Sequence, residues 1–286
     1  MSEFDPPTRR GSRAPGAVEI LPFPRIGRVF RASRPVRLGD VGSDGRVRLD
    51  ALARFVQDVA GDDTADADLP DSLYWVVRRS VIEEDVPLRF REQASLATFC
   101  SGLGSRWAER RVSMRGAAGG SAEAVSVWVH VDPATGRPSP LGDAFEAMYR
   151  PAADGRQVDG RLRHAAIDVD DSGVVVIPWL PRVTDLDVLD HVTNAVAWTV
   201  VEQALAHMRA LAGDASWLLS PRRTEVEYRD PIDRHLVTDG PAPVVLARAT
   251  TAGLEVTVRG GEGPRSPVFV TATVTEAQPR GETTRP

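Results

Sequence analysis

Residues 182–211, RVTDLDVLDHVTNAVAWTVVEQALAHMRAL, run a carboxylate-rich loop into a segment that is apolar nearly all round. The spacing of Val192, Ala195, Val196, Trp198, Val200, Val201, Ala204, Leu205, Met208 and Leu211 predicts a helix over residues 191–211. A helix without a polar face is a buried one. Just before it, Asp185, Asp187, Asp190 and His191 fall within seven residues. The loop delivers Asp187 and His191 to the helix N-terminus, where the dipole favours an anion, whether carboxylate or developing oxyanion. A histidine beside a carboxylate can act as general base on water. Asp185–Leu189 begins like a calcium loop, but leucine takes its fifth position and Asp190 its glycine position, so that reading is excluded.

Working outward, the first half of the chain carries a counterpart. In VRLDALARFVQDVA, residues 47–60, Leu49, Leu52, Phe55, Val56 and Val59 recur at helical spacing after the turn Ser43-Asp44-Gly45. Extended segments are predicted over 27–38, Leu73–Arg79, Gln93–Cys100, Arg106–Arg115 and Glu123–Val131 in this half. In the other half they fall over Val174–Leu180, Glu225–Tyr228, Val244–Thr250, Leu254–Arg259 and Val268–Thr275. Asp40 pairs with Asp185, Gln57 with Gln203 and Pro87 with Pro231, at offsets of 145, 146 and 144. The pattern reads as a tandem duplication of a domain of about 110 residues. One long helix and mainly hairpin-connected strands per half give an α+β fold with antiparallel sheet. The expected organisation is a tail over 1–24, a domain over 25–135, a linker over 136–172, a second domain over 173–277 and a tail over 278–286. Within the linker, Asp143–Tyr149 reads as a short helix.

Composition narrows the function. The 286 residues carry a formal charge of −5, which disfavours a strongly basic nucleic-acid binder. Every basic residue besides histidine is arginine, so a Schiff-base lysine and a Walker A lysine are excluded. The single cysteine, Cys100, rules out an internal disulfide and a cysteine metal cluster, and the expected compartment is the cytoplasm. Cys100 itself reads as a small core residue. The first 24 residues contain no apolar run like that of a signal peptide, and no stretch is long enough to span a membrane. No G-x-S-x-G elbow, H-E-x-x-H zinc motif or G-x-G-x-x-G fingerprint occurs.

The segment D-L-D-V-L-D-H-V-T-N, Asp185–Asn194, resembles the acyl-acyl carrier protein (acyl-ACP) thioesterases. There a D-L-D-x-N-x-H-V-N-N stretch opens the helix of the second of two tandem hot-dog domains, each a curved antiparallel sheet wrapped round one long helix. Other runs are similar to that family in the same order. They are Gln57-Asp58-Val59-Ala60, Trp75-Val76-Val77-Arg78-Arg79, Trp128 with Thr135-Gly136-Arg137-Pro138, and Glu227-Tyr228-Arg229. The resemblance covers residues 25–277. It implies a tandem hot-dog fold and hydrolysis of a fatty acyl thioester in fatty acid biosynthesis, without metal or other cofactor. Asp187 and His191 stand at the family's catalytic aspartate and histidine. Leu189 replaces its asparagine, Pro231 its glutamate and Ile232 the cysteine of the plant members.

The expected catalytic group is therefore Asp187, His191, Asn194 and Asp230, with Asp233 an alternative to Asp230. Gln57, Trp75 and Trp198 are expected to line the substrate site. The expected partner is an acyl carrier protein or coenzyme A thioester, and the chain would act as a monomer or homodimer. An acidic carrier would find Arg78, Arg79, Arg106, Arg110, Arg111, Arg222, Arg223 and Arg229, unless these lie on an ordinary solvated face. Two other readings remain: an acyl-coenzyme A thioesterase, and an acyl-binding protein that has lost catalysis through Leu189 and Pro231. A hot-dog hydratase fits poorly, because its loop places asparagine and proline between aspartate and histidine.

Overall fold

The computed structural model describes residues 19–69, 74–214, 217–263 and 265–277. The expected tail over 278–286 and most of that over 1–24 lie outside the described residues. Ten strands form one antiparallel sheet. The first half supplies β1 (Phe30–Pro35), β2 (Tyr74–Val86), β3 (Gln93–Leu103), β4 (Trp107–Gly116) and β5 (Ser121–Val131). The second supplies β6 (Val174–Ile177), β7 (Arg222–Tyr228), β8 (Val244–Thr250), β9 (Gly253–Arg259) and β10 (Val268–Glu276). The order is β1-β3-β4-β5-β2-β7-β10-β9-β8-β6. Reading inward from either edge gives the same connectivity, so the halves are related as a tandem repeat about the β2–β7 seam. This is the tandem hot-dog arrangement.

Charge fixes the seam. Arg79–Glu84 of β2 run antiparallel to Arg222–Glu227 of β7. Glu83 meets Arg223 at 2.5 Å and Glu84 meets Arg222 at 3.5 Å across it. A slip by one residue would break these pairs and turn each side chain to the opposite face. The run Glu83-Glu84-Asp85 has poor strand propensity. The sequence therefore suggests a strand ending at Arg79, whereas pairing to the arginines carries β2 on to Val86.

Two long helices lie against the sheet, α1 (Leu49–Asp66) and α3 (Asn194–Ala212). Leu49, Leu52, Phe55 and Val59 of α1 and Trp198, Val201, Ala204 and Leu205 of α3 share one core. Helix α1 outruns its apolar repeat because Asp63 in its last turns is buried and held by Arg28, Arg110 and Tyr149. Helix α3 stops at Gly213, whose φ of 64° suits a residue without Cβ. The segment between the halves holds α2 (Asp143–Ala153) and then crosses the face of the sheet away from the long helices. There the N–H groups of Arg163 and His164 donate to buried Glu227 at 2.6 and 3.0 Å. On β3 and β4, Phe23 stacks on Phe99 at 5.3 Å and lies under the Arg111 guanidinium. A short helix, α4 (Arg234–Thr238), follows β7.

Leu205 is fully buried in the common core. Leu205→Ala should cost about 2–5 kcal/mol of stability, read as a fall in the denaturation midpoint. A loss below about 1 kcal/mol would mean that α3 is not packed between α1 and the sheet.

Candidate functional site

The loops before α1 and α3 are copies at an offset of 145. In each, an aspartate closes a short 3-10 turn: Arg37 N–H donates to Asp40 and Arg182 N–H to Asp185, both at 2.9 Å. Val41 bridges Val47, and Leu186 bridges Val192. Gly45 has φ 74° and its counterpart Asp190 has φ 60°. This register pairs Gln57 at the middle of α1 with Glu202 of α3, rather than with Gln203. Each helix thus brings its N-terminus beside the middle of the other.

The two corners differ in chemistry. At the start of α1, the Leu49 N–H donates to Glu202 Oε2 at 3.1 Å. Burial pushes the Glu202 carboxyl up, partly offset by Arg222. At the start of α3, the Thr193 side chain makes no cap. Asn194 and Ala195 line a cleft with Gln57, Ser80, Ser126, Trp128, Trp198 and Tyr228. Its enclosed space is about 10 Å³, room for about one water. Trp198 Nε1 donates to the Tyr228 hydroxyl at 2.8 Å, which donates to the Asn194 carbonyl at 3.1 Å. Burial raises the Tyr228 phenol far above its usual range, so it stays protonated. Among the described residues the buried Trp128 Nε1 donor has no partner.

Gln57 and Trp128 also form part of a second, larger cavity of about 180 Å³. Ala60, Gly61 and Thr64 of α1, Trp75, Cys100, Ala108, Arg110 and Phe145 complete most of its wall. Phe145 of α2 stacks on Trp75 at 4.9 Å, so α2 helps to close the cavity. Burial lifts the Cys100 thiol to about 11, so it remains neutral.

The structure thus brings Gln57, Trp75, Trp198 and Asn194 to the walls of two adjoining spaces. Asp187 and His191 stand on the loop that enters α3. Asp187 Oδ1 accepts the N–H groups of Leu189 at 2.8 Å and His191 at 3.3 Å, so it holds the His191 backbone. Among the described residues the His191 imidazole has no hydrogen-bond partner. His191 bridges Asp233 through the backbone, which stitches the loop to the segment after β7. Asp233 is the N-cap of α4, accepting from Leu236 N–H. Asp230 is exposed at the end of β7. Asp190 pairs with Arg234 at 2.6 Å on the surface, which holds its carboxyl below the usual range. Leu189 points half exposed from the turn.

Sequence reading missed Tyr228, Ser80 and Arg110 as site residues; Ser80 and Arg110 lie on strands whose facing depends on the seam. Of the eight arginines suggested for docking, Arg79, Arg110, Arg111 and Arg222 are instead buried in ion pairs. His164, Glu225 and Glu227 come within 4.8 Å of one another. Arg79, Arg223 and Arg229 already answer these carboxylates, which disfavours a cation there.

Residues 27–149 match the family described as acyl-ACP thioesterase N-terminal domain. Over that stretch the first half of the chain is similar to that domain. Uncharacterized protein Rv2001 of Mycobacterium tuberculosis is 29% identical over 214 residues, 74% of this chain and 82% of that protein. Among solved structures, an acyl-ACP thioesterase from Bacteroides thetaiotaomicron superposes with TM-score 0.63 at 17% identity, covering 86% of this chain and 97% of that one. The 12:0-ACP thioesterase from Umbellularia californica gives 0.62 at 19% identity, covering 87% and 96%. The acyl-ACP thioesterase fold therefore extends over both halves. No helix among the described residues is long and apolar enough to cross a membrane.

The half-buried Glu202 yields a stability prediction. Its folded-state pKa is raised, so the wild type loses stability as pH rises from the unfolded carboxyl's pKa through the folded one. Glu202→Gln keeps an acceptor for Leu49 N–H and removes that loss. Its melting temperature should exceed the wild type's at pH 7, with the gap closing below pH ~4. A lower melting temperature at pH 7 would show that the charge is needed to hold α1.

Proposed function

We propose that the chain hydrolyses a fatty acyl thioester carried on acyl carrier protein, at the corner where α3 begins. One observation carries this: the uncapped N-terminus of α3 faces Gln57 across a cleft about one water wide, beside an apolar cavity. The acyl chain lies in the cavity and the thioester carbonyl sits at the cleft. Its oxygen, negative in the tetrahedral intermediate, takes hydrogen bonds from the N–H groups of Asn194 and Ala195 and the favourable end of the helix dipole. Gln57 holds the attacking water. His191 accepts the water proton as the oxygen bonds to the carbonyl carbon. The C–S bond then breaks, and the proton passes to the leaving thiolate, giving free acid and thiol.

Asp187 is a positioning residue in this scheme, fixing His191 through its backbone N–H. Asp230 is the remaining carboxylate for the site. Its place at the end of β7, two residues beyond Tyr228, supports that assignment. The match to the acyl-ACP thioesterase family favours carrier protein over coenzyme A as the thiol.

His191→Ala should lower kcat by about 10²-fold or more on acyl-ACP thioesters, and Gln57→Ala should also slow hydrolysis. Unchanged turnover in His191→Ala would remove the histidine from the mechanism. Faster hydrolysis of coenzyme A thioesters than of carrier thioesters would reverse the carrier assignment. A folded wild type that binds both without turnover would make the chain an acyl-binding protein.

A further inference from the structure

The cavity beside the cleft has an end unlike a hydrocarbon tunnel. Arg110, on β4, forms part of its wall. Its side chain is only 9% exposed. Arg110 Nη1 donates to Asp63 and to Thr98 Oγ1. Asp63 also accepts from Arg28 Nε at 2.6 Å and from the Tyr149 hydroxyl at 2.9 Å. One buried carboxylate is therefore shared by two guanidinium groups. The guanidinium also lies 5.0 Å from the Tyr149 ring and interacts with its hydroxyl, while its bonds to Asp63 and Thr98 both use Nη1. A guanidinium offers five N–H donors in a fixed fork, so Nε and Nη2 carry the other three.

We infer that this cavity selects a short acyl group carrying an oxygen acceptor, carboxylate or hydroxyl, at its far end, and that Arg110 is the specificity residue that binds that oxygen. The inference rests on the thioesterase reading of the adjoining cleft. Dimensions set the length. Gln57 and Thr64 mark the two ends of the α1 wall, about 10 Å apart along the axis. An extended chain advances about 1.2 Å per bond, so about eight bonds reach from the cleft to the arginine end. The 180 Å³ volume agrees: it is little more than the ~150 Å³ cavity that accepts benzene and smaller than the ~300 Å³ at which drug-sized sites begin. Ala60, Gly61 and Thr64 put little side chain on this wall, and a Cβ on exposed Gly61 would meet nothing within 4 Å.

Polarity sets the chemistry. Trp75, Trp128 and Phe145 suit the methylenes of the stem. A wholly apolar tail would strip water from the remaining Arg110 donors and give nothing in return. An oxygen acceptor replaces that water, and a hydrogen bond to a charged group contributes about 1.5–3 kcal/mol.

The test compares matched thioesters on the same carrier: heptanoyl against pimeloyl, and octanoyl against ω-hydroxyoctanoyl. The wild type should favour the oxygenated member of each pair by about tenfold or more in kcat/KM. Arg110→Met should erase that preference, while Asp63 keeps Arg28 and Tyr149 as partners. Gly61→Leu, which fills the cavity without touching that network, should raise KM for all four substrates. A wild-type preference for the unsubstituted chains, needing no variant to interpret, would overturn the inference and leave the thioesterase reading standing. If no thioester is hydrolysed, that reading fails, and calorimetric titration with the same four thioesters decides the inference separately. Tighter binding of the oxygenated members would uphold it, and equal binding would overturn it.

Discussion

The antiparallel pairing of β2 with β7 is the constraint on which the rest depends. It joins two five-stranded halves into one sheet. It also sets α1 and α3 side by side, so that each helix N-terminus meets the middle of its partner. Hydrophobic burial supplies most of the driving force but is not directional. Register needs the charges: glutamates at 83 and 84 facing arginines at 222 and 223 distinguish the observed pairing from its neighbours. Both corners between the helices inherit their geometry from that register.

Duplication alone would make the two corners alike, and the residue at the middle of each helix separates them. Glu202 donates nothing; it accepts the Leu49 N–H and so occupies the positive end of α1 with a half-buried carboxylate. Gln57, at the matching place, is neutral and puts no charge at the start of α3. A carboxylate there would compete with a developing oxyanion for the same N–H groups. The single change of charge between positions 57 and 202 therefore supports placing the proposed reaction at the start of α3 rather than of α1.

Much of this was legible in the sequence. The Asp40–Asp185 pairing, the second long helix and nine of the ten strands follow from periodicity to within a few residues, because apolar repeats report burial directly, whereas α1 runs six residues past the end that its repeat predicts. The loop repeat was also readable, since its aspartates do backbone work that needs a carboxylate at a fixed place. What was hidden came from pairing at long range. The end of β2 depends on arginines about 140 residues away in sequence, and no local signal shows them. Arg110 read as one of several surface arginines because its partner Asp63 lies 47 residues earlier on another element. Its burial, and the cavity it borders, exist only once α1, α2 and β4 are packed together.

The departures at Leu189 and Pro231 look different once the backbone is considered. At Leu189 the fold uses the N–H, which donates to Asp187, and leaves the side chain in solvent. Beyond Pro231 it uses the Ile232 carbonyl, which accepts the Val192 N–H at 2.8 Å. Both interactions survive any side chain that permits the local dihedrals, so the loop keeps its shape although the family's asparagine and glutamate are gone. What the two changes remove is polar side-chain chemistry on the outer side of the site. The inner side is intact: the helix N-terminus, Gln57, the Trp198–Tyr228–Asn194 chain and the buried Trp128 donor. In the proposed hydrolysis the fixed dipoles of that inner wall therefore carry the transition-state charge, and His191 carries the proton transfer.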